Sequence, residues 1–256
     1  MPTKTVHLHL IRHGYSCANA VKATNDIPIW NLIAHHLYSD PDLTEVSVDK
    51  VRDAAAANKT KFDLVVTSPL LRAIKTGAIY ARHNRLDTVY STPYLNELTD
   101  YPIAAYVGLN QDNTAEAAQL QKAYIENDRD YNGITIDTSA RGVANAIPVQ
   151  VGQVNANYAA LVDHVVGMVC GLRKSEVHVA VVGHSHYFKK LVDGLEHTPN
   201  GTELAVYTLT VNTGRTCAHS DEPFRVTSSE WGDLKRTLKE SGTEGCARRW
   251  ATESEA

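Results

Sequence analysis

Short apolar runs alternate along this chain with longer stretches in which apolar residues recur every three or four positions. Val6 to Ile11 is apolar and ends at a glycine, which predicts a strand closed by a turn. Phe62 to Thr67, Val89 to Tyr90, Val177 to Val182 and Leu204 to Val211 predict further strands. Helical spacing covers about 47–59, 155–172 and 188–195, with a short helix within 27–42. Ser68-Pro69 has the form of a helix N-cap followed by a first-turn proline, so a helix should run from there to about Arg82. Strands alternating with helices imply an α/β fold, a three-layer αβα sandwich around a mainly parallel central sheet. Sandwiched strands should be apolar on both faces, as Val177 to Val182 is apart from His178.

The rhythm breaks at residues 98–150, which are expected to form an inserted lid within a single domain spanning 1–256. This stretch has a helical patch at about 114–127, then a loop rich in glycine, asparagine and threonine. From Gly214 the chain turns polar, with one further helix at about 229–239 and a polar tail from about 241. A length of 256 residues with 43% hydrophobic content suffices for one sizeable core. The net charge of −4 gives no global attraction to nucleic acid, so anion binding must come from a local basic pocket. No run approaches the ~18 apolar residues of a membrane span. The N-terminal Met-Pro-Thr-Lys-Thr has no apolar signal region, and a cytoplasmic location is expected. Cys17, Cys170, Cys217 and Cys246 are scattered without metal spacing, which suggests free thiols. Oligomeric state is not legible.

Chemistry concentrates at strand ends. Arg12-His13-Gly14 closes the first strand, Ser68-Pro69-Leu70-Leu71-Arg72 follows another, and Gly183-His184-Ser185 follows a third. Open parallel sheets bind ligands at the carboxyl ends of their strands. Two imidazoles and two guanidiniums meeting there suit a phosphoryl group, because arginine forks match phosphate oxygens. His13 is the candidate nucleophile, since neutral imidazole is available near pH 7. Arg12, Arg72 and His184 would hold the oxygens without a metal or other cofactor. Gly14 would let the backbone pass close to the phosphate.

In these residues the chain resembles the histidine phosphatase superfamily, also called phosphoglycerate mutase-like. Its hallmark is an Arg-His-Gly motif on the first strand, a mid-chain arginine opening a helix, and a late histidine. Arg12-His13-Gly14, Arg72 and His184 match in order and context, over roughly 5–98 and 175–212. The resemblance implies phosphate contacts from Ser16 and Asn19. It also implies a glutamate proton donor after the third strand, in a Leu-x-Glu setting that Leu95-Asn96-Glu97 fits. The other branch of the family places an aspartate after the late histidine, where this chain has Ser185. Ser185 departs from the more usual glycine, and Ser47 and Lys50 depart from the family's glycine and glutamine.

His7, His9 and His13 share one strand face at period two, a pattern that invites a metal. No cysteine or carboxylate nearby in sequence completes a ligand set, so His7 and His9 are expected to be structural and no metal is assigned. The leading expectation is a phosphomonoester hydrolase working through a phosphohistidine on a small phosphorylated substrate or phosphopeptide. Neither nucleic acid nor membrane is expected as a partner. Phosphoglycerate mutase-type transfer and a catalytically weak phospho-ligand binder are the alternatives. Residues 98–150 carry seven acidic side chains against three cations, which disfavours a lid gripping phosphoglycerate. A Glu97 acid would separate an enzyme from a binder.

Overall fold

The computed structural model describes residues 3–17, 19–20, 40–98, 125, 131–142, 151–213 and 217–227. The first strand, β1 (Thr3–Arg12), lies inside the sheet and is buried on both faces over its second half. Val6, Leu8 and Leu10 join one core, and Ile11 joins the other. Around it the elements are α1 (Glu45–Ala57), β2 (Leu64–Thr67), α2 (Leu71–His83), β3 (Thr88–Ser91), β4 (Thr135–Asp137), α3 (Val154–Cys170), β5 (Glu176–Gly183), α4 (Ser185–Leu191), β6 (Glu203–Asn212), β7 (His219–Asp221) and β8 (Arg225–Val226).

The sheet runs β4-β3-β2-β5-β1-β6-β7, with β8 also on β6. Every pair from β4 to β1 is parallel, whereas β6 joins β1 antiparallel and carries β7 and β8 antiparallel in turn. The expected mainly parallel sandwich is therefore correct, with an antiparallel margin on the β6 side. On one face, Leu161, Val165 and Val169 of α3 pack against Val177, Val179 and Val181 of β5. On the other, Val51 and Ala55 of α1 and Ile74 and Ala78 of α2 cover Val65, Ala180 and Val182. Burying a side chain such as Leu161 contributes roughly 1.5–3 kcal/mol.

Local chemistry sets the helix starts. The Thr44 hydroxyl accepts the Ser47 amide as the N-cap of α1, and Val51, Ala54 and Ala55 then fall on its buried side. At α2 the expected Ser68-Pro69 cap is not used. Leu70 is the N-cap residue and has no side-chain bond, while Asp40 accepts the Leu71 amide at 2.9 Å. Ser68 Oγ accepts the Leu70 amide at 3.3 Å just ahead of the helix and also bonds His184 in the pocket. Helix α4 starts at Ser185 rather than Phe188, because β5 ends directly into it.

Three expectations need amendment. Within 98–150, β4 adds a parallel strand beside β3, so part of that stretch belongs to the sheet. Past Gly214, β7 and β8 are strands too short and polar to announce themselves. Cys170 and Cys217 are joined in a disulfide, Cys17 is disulfide-bonded as well, and no thiol is free among the described residues. The expected helices at 114–127 and 229–239 and the tail from 241 lie outside the described residues, Ile125 excepted, as does most of 27–42. No helix among the described residues is long and apolar enough to cross a membrane.

Candidate active site

Arg12 and His13 stand at the carboxyl end of β1, with His184 at the end of β5 and Ser68 after β2. Parallel pairing sets them side by side: Arg12 is opposite Gly183, and the His13 amide bonds the Gly183 carbonyl at 3.0 Å. Arg72 enters from the first turn of α2. Its Nε donates to His13 Nε2 at 3.3 Å, and its Nη2 lies 3.5 Å from His184 Nδ1. The two imidazole centroids are 5.1 Å apart. The four residues that the sequence placed in one crevice meet there.

The His13 tautomer is fixed. Nδ1 donates to the Gly14 carbonyl at 2.6 Å, so Nε2 keeps its lone pair. Burial first, and then the charges of Arg72 and Arg12, hold the His13 pKa well below the ordinary histidine value. His184 is lowered well below that value by burial, Arg72 and His13, and its Nε2 bonds Ser68 Oγ at 2.8 Å. The pocket thus holds two neutral imidazoles between two cations. Burial also lowers Arg12 to about 10, which leaves it charged at neutral pH.

Both guanidiniums carry a buried N–H without an acceptor among the described residues, Nε of Arg12 and Nη1 of Arg72. Orphaned charged donors at this depth are costly unless a ligand accepts from them. A phosphoryl group supplies such acceptors in the right number and charge.

Glu97 is buried against this cluster, with Oε2 3.4 Å from His184 Nδ1 and Oε1 accepting the Leu98 amide. Its carboxylate opposes the lowering of both Arg12 and Arg72, so it lies within electrostatic reach of each. Ser16 and Asn19 differ from the other five. Their polar atoms turn to one another, Ser16 Oγ to Asn19 Oδ1 at 3.0 Å, and neither bonds the histidines or arginines.

The structure gives Gly14 a packing role. A Cβ there would lie 2.6 Å from Ser47 Oγ and 2.8 Å from Val51 of α1, so the missing side chain admits a helix. Ser185, which stands where the family more usually has glycine, pairs with the Thr198 hydroxyl at 2.8 Å. The carbonyl of Thr198 accepts from Arg12 Nη1.

Four supporting residues were not foreseen. Thr76 accepts the Gly14 amide and donates to the Arg72 carbonyl, tying the β1 loop to α2. Its spacing of four residues from Arg72 on one helix face was the available signal. Thr198, Asn200 and Gly201 brace the end of β1, Asn200 donating to the His13 carbonyl and Gly201 to that of Arg12. Gly201 has φ +73°, a left-handed turn position that Pro199-Asn200-Gly201 suits.

Comparison with curated proteins finds no match. Among solved structures, phosphoglycerate mutase from Bacillus anthracis str. Sterne is similar at 16% identity and TM-score 0.46, covering 87% of this chain and 93% of its own. A mycobacterial glucosyl-3-phosphoglycerate phosphatase is similar at 18% identity and TM-score 0.45, covering 88% and 100%. A phosphoserine phosphatase from Entamoeba histolytica, solved with 3-phosphoglyceric acid, is similar at 17% identity and TM-score 0.46, covering 87% and 98%. The sequence profile of the histidine phosphatase superfamily (branch 1) matches residues 8–215, and the chain belongs to that family.

Proposed function

We propose that this protein is a phosphomonoester hydrolase acting through a phosphohistidine on His13. The observation that carries the reading is the fixed tautomer of His13, whose Nε2 lone pair faces Arg72 in a buried pocket with unsatisfied cationic donors. Nε2 attacks phosphorus as the P–O bond to the leaving alcohol breaks. Arg12, Arg72 and His184 hold the equatorial oxygens, where charge is retained throughout the displacement. A proton brought in by the monoanionic phosphomonoester passes through Glu97 to the departing oxygen, and Glu97 then takes one from the water that attacks the phosphohistidine and returns it to the departing phosphate. Phosphate leaves and His13 returns to the neutral imidazole. Ser16 and Asn19 contribute by shaping the turn that follows His13, and contact phosphate only if that turn shifts.

The substrate is a small phosphomonoester or a phosphopeptide. The acidic surplus of residues 98–150, proposed as a lid, favours water over a second substrate hydroxyl as acceptor. On location, the cytoplasmic expectation stands against a Cys170–Cys217 disulfide, which persists most readily in oxidising surroundings. Counting thiols in protein isolated without reductant separates them.

The test is trapping. Incubation with a labelled aryl phosphate should place acid-labile, base-stable label on a peptide containing His13, with or without EDTA. Label that persists in His13→Ala overturns the assignment, and phosphate binding without release makes the protein a binder. Glu97→Gln should slow alkyl phosphates about 100-fold and aryl phosphates far less, because a phenolate leaves with little protonation. Equal slowing removes Glu97 from the acid role.

A further inference from the structure

The opposite edge of the same two strands carries a second histidine cluster that the phosphatase chemistry does not use. His7 of β1 lies directly across from His178 of β5, and Glu176 lies two residues before His178 on the same face. Glu176 Oε1 is 3.1 Å from His7 Nε2 and 3.4 Å from His178 Nε2. One donor atom from each of the three residues falls within 4.8 Å of the others. The two imidazole rings stack with centroids 4.8 Å apart. The carboxylate that the sequence of β1 lacked arrives from β5 through strand pairing.

We propose that His7, His178 and Glu176 bind a zinc-class divalent ion. Tetrahedral bonds of about 2.0–2.2 Å set neighbouring donor atoms about 3.3–3.6 Å apart, close to the two spacings from Glu176 Oε1, while the two histidine donors lie within 4.8 Å of each other. Two histidines and a glutamate form a three-ligand set that leaves the fourth position to water.

The surrounding hydrogen bonds form the outer shell such a site needs. A metal-bound imidazole donates its other N–H to a fixed acceptor. His7 Nδ1 reaches Thr208 Oγ1 at 3.1 Å, and His178 Nδ1 reaches His9 Nε2 at 3.0 Å. His9 in turn bonds Glu203 through Nδ1 at 2.6 Å. One consistent proton arrangement follows: Glu203 accepts from His9, His9 accepts from His178, and Nε2 of both His178 and His7 keeps its lone pair for the ion. His9 is buried and Glu203 largely so, whereas the Glu176 side chain is 61% exposed, so the chain of support is held and the entrance open. His13 lies six positions beyond His7, about 20 Å along the strand direction, which places the ion outside the phosphoryl chemistry. Its effect would be to clip β1 to β5.

The experiment uses the full chain, freed of metal by chelation and carried in a His13→Ala background that weakens any metal binding in the phosphate pocket. Calorimetric titration with Zn²⁺ should show one equivalent bound, and Co²⁺ should give the visible absorption of a tetrahedral nitrogen–oxygen site. Glu176→Gln and His178→Asn should each weaken Zn²⁺ binding about 100-fold. His9→Gln, which removes no ligand, should weaken it about 10-fold. Zn²⁺ should raise the melting temperature of the parent and not of Glu176→Gln, an exposed substitution that leaves the metal-free melt unchanged. Absence of stoichiometric binding overturns the proposal, as does binding that Glu176→Gln and His178→Asn leave intact.

Discussion

The two ends of β1 and β5 use the same side chain in opposite surroundings. At the carboxyl end, His13 and His184 are buried among guanidiniums, which disfavour a second positive charge and keep the rings neutral. At the amino end, His7, His9 and His178 face Glu176 and Glu203, with His7 and His178 partly open to water and His9 buried. Cationic neighbours and burial keep an imidazole neutral, which suits the nucleophilic role proposed for His13. Carboxylate neighbours suit the cation site proposed at His7 and His178. The partner charge, more than the strand or the residue type, decides which chemistry the histidine offers.

The sharpest way to break this contrast is to exchange which end is damaged. His13→Ala should lower phosphate release about 10⁴-fold or more, as loss of a nucleophile does. His7→Ala, on the same strand, should leave release within about twofold. Comparable losses from both would mean that the strand as a whole, not the carboxyl-end pocket, is what activity needs. Arg72→Lys comes next. Lysine keeps the charge but not the fork that spans His13 and His184, so kcat/KM should fall about 100-fold.

A third measurement follows stability against pH. The folded-state pKa values of His13 and His184 lie below the unfolded value of about 6.5. Their contribution is therefore fully present above that pH and is lost as pH falls through it towards the folded values, by up to about 1.4 kcal/mol per pH unit for each ring. His13→Ala should flatten part of that slope in urea melts at pH 5–7. A slope unchanged by the substitution would show that the ring titrates normally. The smallest effect belongs behind the pocket. Ser47 Oγ is buried without a partner among the described residues, so Ser47→Ala should raise stability by about 1 kcal/mol and leave kcat unchanged.

The strand-end positions of Arg12, His13 and His184 were legible because short apolar runs end visibly at polar residues, and the runs became strands with boundaries shifted by one to three residues. Arg72 was legible because α2 starts beside it. What local pattern could not carry was partnership across the chain. Ser68 looked like a cap by its neighbour Pro69, yet β2–β5 pairing brings it to His184. Nothing local to Gly14 announced that its missing Cβ also makes room for Ser47 and Val51 of α1. Glu176 and His178 stood some 170 residues from His7 with nothing local to connect them. The cysteine pairing was hidden for the same reason, since Cys170 and Cys217 are 47 residues apart.

The central place of β1 has a consequence for how the chain reaches this structure. Its partners are β5, at 176–183, and β6, at 203–212, both made long after residues 3–12. At roughly 5–20 residues per second, the first strand waits about 10–40 s on the ribosome before either neighbour exists. Throughout that interval Val6, Leu8 and Leu10 have no native strand to cover them. Such long-range pairing makes for slow folding and a temporary hazard of misassociation. The polar alternation of Lys4, Thr5, His7 and His9 with those apolar residues would keep the waiting segment solvated, a task finished before either pole has any ligand to bind.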